Sequence, residues 1–301
     1  MSAPRHLLGI EGMGRARIEA LLDRATEHKK SLASPKRKEP LAGRVVANMF
    51  FEDSTRTRSS FEIAAKALGA EVLNWTTKGT SVSKGETLLD TVRNIDAMGP
   101  SAIVIRHQSS GTPAFLARHT RAAIVNAGDG AHEHPSQALL DAFTLRERLG
   151  SLDGRTVAIV GDIQHSRVAR SNLHCLSALG AQVVVCGPPT LLPAGIEELG
   201  CRVTTDLQAA LEGADAVMLL RLQLERQSES LVPSPREYAR LYGLDEARAV
   251  RLKEGALVLH PGPINRGVEL SPEVADGPRS VILQQVENGV AVRMAILEAC
   301  A

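Results

Sequence analysis

The sequence predicts an α/β fold of two domains, each a parallel sheet flanked by helices. Short β-rich runs alternate with helical patterns from one end of the chain to the other, as successive βαβ units require. A second series of this kind starts at Gly154, Arg155, Thr156. The 301 residues with 44% hydrophobic content are enough for two compact cores.

The elements follow in order. Residues 45–51, Val-Val-Ala-Asn-Met-Phe-Phe, read as a buried strand. Phe61, Ala64, Ala65 and Leu68 then repeat at i, i+3, i+4 and i+7, the spacing of one helix face. Ser83 stands three residues before Glu86, which predicts a capping box for a helix running to about Met98. Further strands are expected at 102–105 and 123–126. The Ala127, Gly128, Asp129, Gly130 segment is too glycine-rich for a helix, and a helix begins near His134. The main domain boundary is placed near that helix, at 135–149. The second set of strands is expected at 156–160, 182–186, 216–220 and 256–259. In the last helix Val286, Val290, Met294 and Leu297 share one face, predicting that it docks on a core.

Charge and cysteine usage exclude several classes. Lys plus Arg number 35 against 34 Asp plus Glu, so no net field favours nucleic acid or an anionic membrane. The basic residues Lys29, Lys30, Lys36, Arg37 and Lys38 read as a solvated loop before the first strand. Cys175, Cys186, Cys201 and Cys300 form no Cys-x-x-Cys pair. A zinc or redox motif is not expected, and the thiols suit a reducing compartment. No stretch reaches the length of a membrane span, and residues 1–15 lack a long apolar signal region. The expectation is a soluble cytoplasmic protein with no cofactor and no metal.

The run Glu52, Asp53, Ser54, Thr55, Arg56, Thr57, Arg58 sits where a strand turns into a helix. There the first N–H groups lack helical acceptors and the helix dipole is positive. A phosphate can thus be held by main chain, Ser54, Thr55, Thr57 and Arg56 together. A cap alone needs one hydroxyl, whereas this run offers three hydroxyls and two forked cations. It is not a nucleotide P-loop, because Gly-x-x-x-x-Gly-Lys-Ser/Thr is missing. Arg106 follows a strand and so reaches a carboxyl-end rim, where ligands of parallel sheets sit. His134 and Gln137, three apart at a helix start, can address one small ligand.

The Ser-x-Arg-Thr run at Ser54–Thr57 and the His-Pro-x-Gln run from His134 to Gln137 closely resemble signatures of the transcarbamoylases, the aspartate and ornithine carbamoyltransferases. The resemblance spans roughly residues 50 to 295. It implies that the last helix returns to the first domain, giving residues 1–134 plus 284–301 as the carbamoyl-phosphate-binding domain and 135–283 as the amino-acid-binding domain. It implies that Arg56, Thr57, Arg106, His134 and Gln137 bind carbamoyl phosphate. Thr57, Arg106 and His134 would contact the carbonyl oxygen, where charge grows in the transition state. Ser81 and Lys84, in a Ser-x-x-Lys-Gly-Glu-Thr loop similar to the family's, would enter a neighbouring subunit's site, which implies a homotrimer.

In the second half, the loop Gly161, Asp162, Ile163, Gln164, His165, Ser166, Arg167 follows a strand but lacks Gly-x-Gly-x-x-Gly, against a dinucleotide site. Arg167 and Arg221 both follow strands at the same rim, and two forked cations there suit a dicarboxylate. By resemblance, Arg221 and Gln223 take ligand positions in an aspartate-binding loop, and Lys84 joins them. Gly262 and Pro263 would offer backbone carbonyls to the carbamoyl amine. The His-Pro-Gly-Pro segment at 260–263 is unlike the His-Cys-Leu-Pro of ornithine enzymes, although Gly262 stands where many aspartate enzymes have Leu. The resemblance thus implies carbamoyl transfer from carbamoyl phosphate to L-aspartate, an early step of pyrimidine synthesis. A transcarbamoylase for another amino acid and a non-catalytic scaffold are the alternatives. Regulatory chains or a dihydroorotase as partners stay open.

Overall fold

The computed structural model describes residues 6–34, 38–76, 85–223, 231 and 234–301. The chain divides into two units, Met1–Phe143 with Val286–Ala301, and Thr144–Gln285. The division therefore falls inside the helix at 135–149 and not in front of it.

The first unit opens with α1 (Arg15–Leu32), β1 (Val45–Phe50), α2 (Thr55–Ala67), β2 (Glu71–Thr76), α3 (Leu88–Ala97), β3 (Ala102–His107), α4 (Thr112–Ala117) and β4 (Ala123–Asp129). Its four strands are parallel in the order β2-β1-β3-β4. Ala47, Met49, Ile103, Ile105 and Ile124 pack with Val92, Ile95 and Leu116 from the helices. Phe61, Ala64, Ala65 and Leu68 are fully buried, as their spacing predicts. Truncating Phe61 to Ala should cost about 3 to 5 kcal/mol of stability.

The helix α5 (Pro135–Leu149) leads to β5 (Thr156–Val160), α6 (Arg167–Ala178), β6 (Gln182–Cys186), β7 (Arg202–Thr204), α7 (Leu207–Leu211), β8 (Ala216–Leu219), α8 (Pro235–Tyr242), α9 (Glu246–Ala249), β9 (Leu257–Leu259), α10 (Pro272–Ala275) and α11 (Ile282–Cys300). The second sheet is parallel in the order β7-β6-β5-β8-β9. Its core joins Val160, Val184, Val217, Leu219 and Val258 to Leu207, Leu211, Tyr238 and Tyr242.

Each sheet has a point where the strand order reverses. In the first, β1 connects outward to β2 and β3 outward to β4, so a crevice opens between the carboxyl ends of β1 and β3. In the second, the corresponding place lies between β5 and β8. Ligands of open parallel sheets bind at such points.

Several local expectations change. The cap of α3 is Thr87, not Ser83: its hydroxyl accepts from the Asp90 N–H at 3.2 Å and donates to Asp90 Oδ2 at 2.7 Å. Ser83 lies outside the described residues. Glu86 instead accepts from Thr91 and Asn94. Lys29 and Lys30 close the last turn of α1, and Lys29 donates to Asn288, so they do not belong to a loop; Lys38 is exposed in the segment ahead of β1, as expected, and Lys36 and Arg37 lie outside the described residues. In α11, Met294 and Leu297 are buried, but Val286 is 47% exposed. The helix is instead enclosed nearly all round from Ala291 to Leu297, so the expected single stripe covers only its second half. All four cysteines are buried free thiols.

Candidate functional site

At the first reversal point, α2 begins at Thr55 with Ser54 as its N-cap, and the Ser54 hydroxyl makes no capping bond. A hydroxyl used only to end the helix would accept from the first turn. Thr57 is buried, and its carbonyl accepts from the Ser60 hydroxyl at 3.0 Å. The neighbouring strand end is locked on by the Phe51 N–H, which donates to the Arg106 carbonyl at 2.9 Å. Arg106 lies within β3, and its Nε donates to Glu52 Oε2 at 3.0 Å. The expected anion-binding run and Arg106 thus share one sheet end. Glu52 was not read as a candidate, although it stands inside the quoted run.

His134 and Gln137 are held by the exit of β4. Asn126 donates to the Leu8 carbonyl and to Asp129, and accepts from the Gly128 N–H. Asp129 also accepts from the N–H groups of Gly111 and Glu133. This bolted segment continues β4 to Asp129, beyond the expected end at 126. His134 is buried just ahead of α5, and its carbonyl accepts from the N–H groups of Gln137 and Ala138. Gln137, also buried, donates from Nε2 to Asp141 Oδ1 at 2.8 Å.

Behind these residues Arg293 of α11 is buried, with its guanidinium carbon 5.2 Å from the centre of the Phe61 ring. Burial pushes its pKa down to about 9; Arg106 and Arg56 act in the same direction and Asp141 opposes them. The charges of Asp141, Arg106 and Arg56 are therefore close enough to act on Arg293. A positive field of this kind suits an anion.

Beside this cluster, burial of the His107 ring holds its pKa below the usual histidine value. Its Nδ1 accepts from the Ser109 N–H at 2.9 Å, and the ring meets Phe51 edge-on.

At the second reversal point, Ser166 caps α6 by accepting from the Ala169 N–H, and Arg167 opens that helix, buried. Arg221 and Gln223 follow β8. Gln223 donates from its backbone to Asp162 Oδ2 at 3.4 Å and from Nε2 to the His165 carbonyl at 3.1 Å. His165 Nδ1 donates to Asp162 Oδ1 at 2.8 Å. Asp162, fully buried, therefore joins the loops that carry Arg167 and Arg221. Gly161 is required here, because a Cβ on it would meet the Leu220 carbonyl at 2.8 Å.

Gly262 and Pro263 follow β9. His260 Nδ1 accepts from the Gly262 N–H at 2.8 Å, which leaves Nε2 to donate to the buried Glu269 at 3.1 Å. Gly262 has φ 68°, a conformation open to glycine and strained for Leu. The Gly262–Pro263 peptide is cis. Ser81 and Lys84 lie outside the described residues.

Among the described residues, Glu11, His132 and Glu133 have potential metal-ligating atoms within 4.8 Å of one another. Glu11 comes from a distant part of the chain, which no local spacing reveals. The Glu133 carboxylate accepts from the N–H groups of Ile10 and Glu11, so this group clamps the backbone of the N-terminal segment.

Comparison with known proteins adds the family. The aspartate/ornithine carbamoyltransferase carbamoyl-P binding domain matches residues 5–147, and the Asp/Orn binding domain matches residues 153–300. The aspartate carbamoyltransferase catalytic subunit of Myxococcus xanthus (strain DK1622) is 70% identical, over 98% of this chain and 99% of its own length. That of Anaeromyxobacter sp. (strain K) is 59% identical, over 97% and 94%. Among solved structures, aspartate transcarbamoylase from Trypanosoma cruzi in complex with carbamoyl phosphate and aspartate superposes with a TM-score of 0.90 at 33% identity, covering 98% of this chain and 96% of that one. Ornithine carbamoyltransferase from Thermus thermophilus reaches a TM-score of 0.88 at 29% identity, with 99% of each chain covered. Backbone shape therefore does not separate the two activities. Matched along both units, the chain belongs to the aspartate/ornithine carbamoyltransferase family.

Proposed function

We propose that this protein is a transferase that moves the carbamoyl group of carbamoyl phosphate to L-aspartate, giving N-carbamoyl-L-aspartate and phosphate for pyrimidine synthesis. The observation that carries the choice of aspartate is the pair of arginines at the second reversal point. Arg167 and Arg221 leave two loops that Gln223 and Asp162 tie together. Forked cations there match a dicarboxylate, each taking one carboxylate. A diamine would need the opposite charge.

The chemistry is attack of a neutral amine on the carbonyl carbon, followed by loss of phosphate. Nothing in it requires a covalent nucleophile or a metal. In this reading Ser54, Thr55, Arg56 and the α2 amino end hold the phosphate, while Thr57, Arg106 and His134 donate to the carbonyl oxygen as it gains charge. His134 is a hydrogen-bond donor and not a nucleophile. Arg167, Arg221 and Gln223 hold aspartate, assisted by Lys84, and Gly262 and Pro263 supply carbonyls to the carbamoyl amine. Ser81 and Lys84 act in a neighbouring subunit of a cytoplasmic homotrimer.

Initial rates with carbamoyl phosphate and either L-aspartate or L-ornithine, with and without a chelator, test this reading. Carbamoylaspartate should form at an undiminished rate in chelator, with no citrulline. Faster turnover of ornithine, or activity abolished by chelator and restored by a divalent ion, would overturn it.

A further inference from the structure

We propose that Asp141, backed by Arg293, is a positioning residue that turns the Gln137 amide so that its oxygen faces bound carbamoyl phosphate. Residues four apart share a helix face, and in α5 this brings Gln137 Nε2 to Asp141 Oδ1 at 2.8 Å. An ionised carboxylate only accepts hydrogen bonds. The amide therefore cannot be reversed without setting its oxygen against a carboxylate oxygen. With Nε2 held on the Asp141 side, Oε1 is the end left for a ligand.

That orientation selects chemistry. A carbamoyl group carries an amino group with two N–H donors, whereas inorganic phosphate is mainly an acceptor. An inward oxygen favours the first ligand, and an inward amino group would favour the second. Asp141 thus makes Gln137 a reader of the carbamoyl end, in addition to the arginines that read the phosphate end.

Arg293 explains how a carboxylate survives there. Asp141 is fully buried, and an isolated buried charge is costly. Arg293 supplies an opposing charge from α11. It is itself 4% exposed, its Nε makes no hydrogen bond, and its guanidinium lies over Phe61. It is therefore a fixed buried cation behind the site and not a solvated one.

The inference rests on the reading of Gln137 as a carbamoyl-phosphate ligand. It is tested in the whole chain by measuring dissociation constants for carbamoyl phosphate and for inorganic phosphate by calorimetry. In Asp141→Leu the ratio of phosphate to carbamoyl-phosphate constants should fall at least fivefold, because the amide is free to turn either end inward. Should the uncompensated Arg293 prevent folding, Asp141→Leu with Arg293→Met removes both buried charges and should show the same fall. In a Gln137→Ala background the Asp141 substitution should no longer change the ratio. An unchanged ratio in the Asp141 variants would overturn the assignment, even if both affinities drop together, since equal loss is what a merely structural residue produces. Failure of the unaltered protein to bind carbamoyl phosphate would instead overturn the reading beneath it.

Discussion

Arg106 Nε donates to Glu52 Oε2 at 3.0 Å, and the two side chains are equally shielded, each 17% exposed. Arg106 is the next-to-last residue of β3 and Glu52 follows β1, so the ion pair spans the crevice of the first sheet. A guanidinium held there is oriented before any ligand arrives, which lowers the ordering cost of binding. Glu52→Ala should reduce kcat/KM for carbamoyl phosphate on the order of 10- to 100-fold, equivalent to about 1.4 to 2.7 kcal/mol. Steady-state kinetics with unaltered kcat/KM would show that Arg106 needs no such holder.

Arg221→Ala should cripple the use of aspartate and leave carbamoyl-phosphate binding nearly intact. Loss of one partner in a charge-assisted pair costs on the order of 2 to 5 kcal/mol. An aspartate KM and kcat equal to those of the unaltered protein would remove Arg221 from the site.

If the site is shared between subunits as proposed, the Lys84→Ala and His134→Ala variants should each be almost inactive. When their subunits are dissociated and mixed, activity should return, because some interfaces then combine an intact Lys84 segment with an intact His134 pocket. Mixed assemblies no more active than either parent would place Lys84 and His134 in one chain's own site.

His107 links the first site to pH. Burial holds its folded pKa below the usual histidine value, so the unfolded chain binds the proton more readily. Stability should therefore be fully present above about pH 6.5 and decline as pH falls through the folded pKa. Protonation at Nδ1 would also end its acceptance from Ser109. In His107→Gln the slope of unfolding free energy against pH below that point should be shallower. Denaturant titrations giving parallel slopes for both proteins would contradict this.

The local grammar of the chain was readable wherever neighbours in sequence decide the outcome. The Phe61, Ala64, Ala65, Leu68 spacing marks a helix face, and the Ser54–Thr57 run marks a helix start after a strand. The two strands that were overlooked, β2 and β7, are both sheet edges. Edge strands need less apolar sequence, and Arg202–Thr204 is mostly exposed. The α3 cap was displaced for a related reason: Thr87 with Asp90 satisfies the first turn as well as Ser83 with Glu86 would, and spacing alone does not rank two competing caps.

What the sequence determined by itself was the alternation of strand and helix, the two anion-attracting segments and the residue types needed for carbamoyl transfer. These depend on side-chain chemistry and on spacings of a few residues. Only the tertiary structure decided how those residues are held: Glu52 on Arg106, Asp162 beneath Gln223, and Arg293 of the last helix behind Asp141 and Phe61. Such pairs join positions far apart in sequence. Their burial makes each charge costly unless another answers it, and only the crossing of the folded chain determines which other is near.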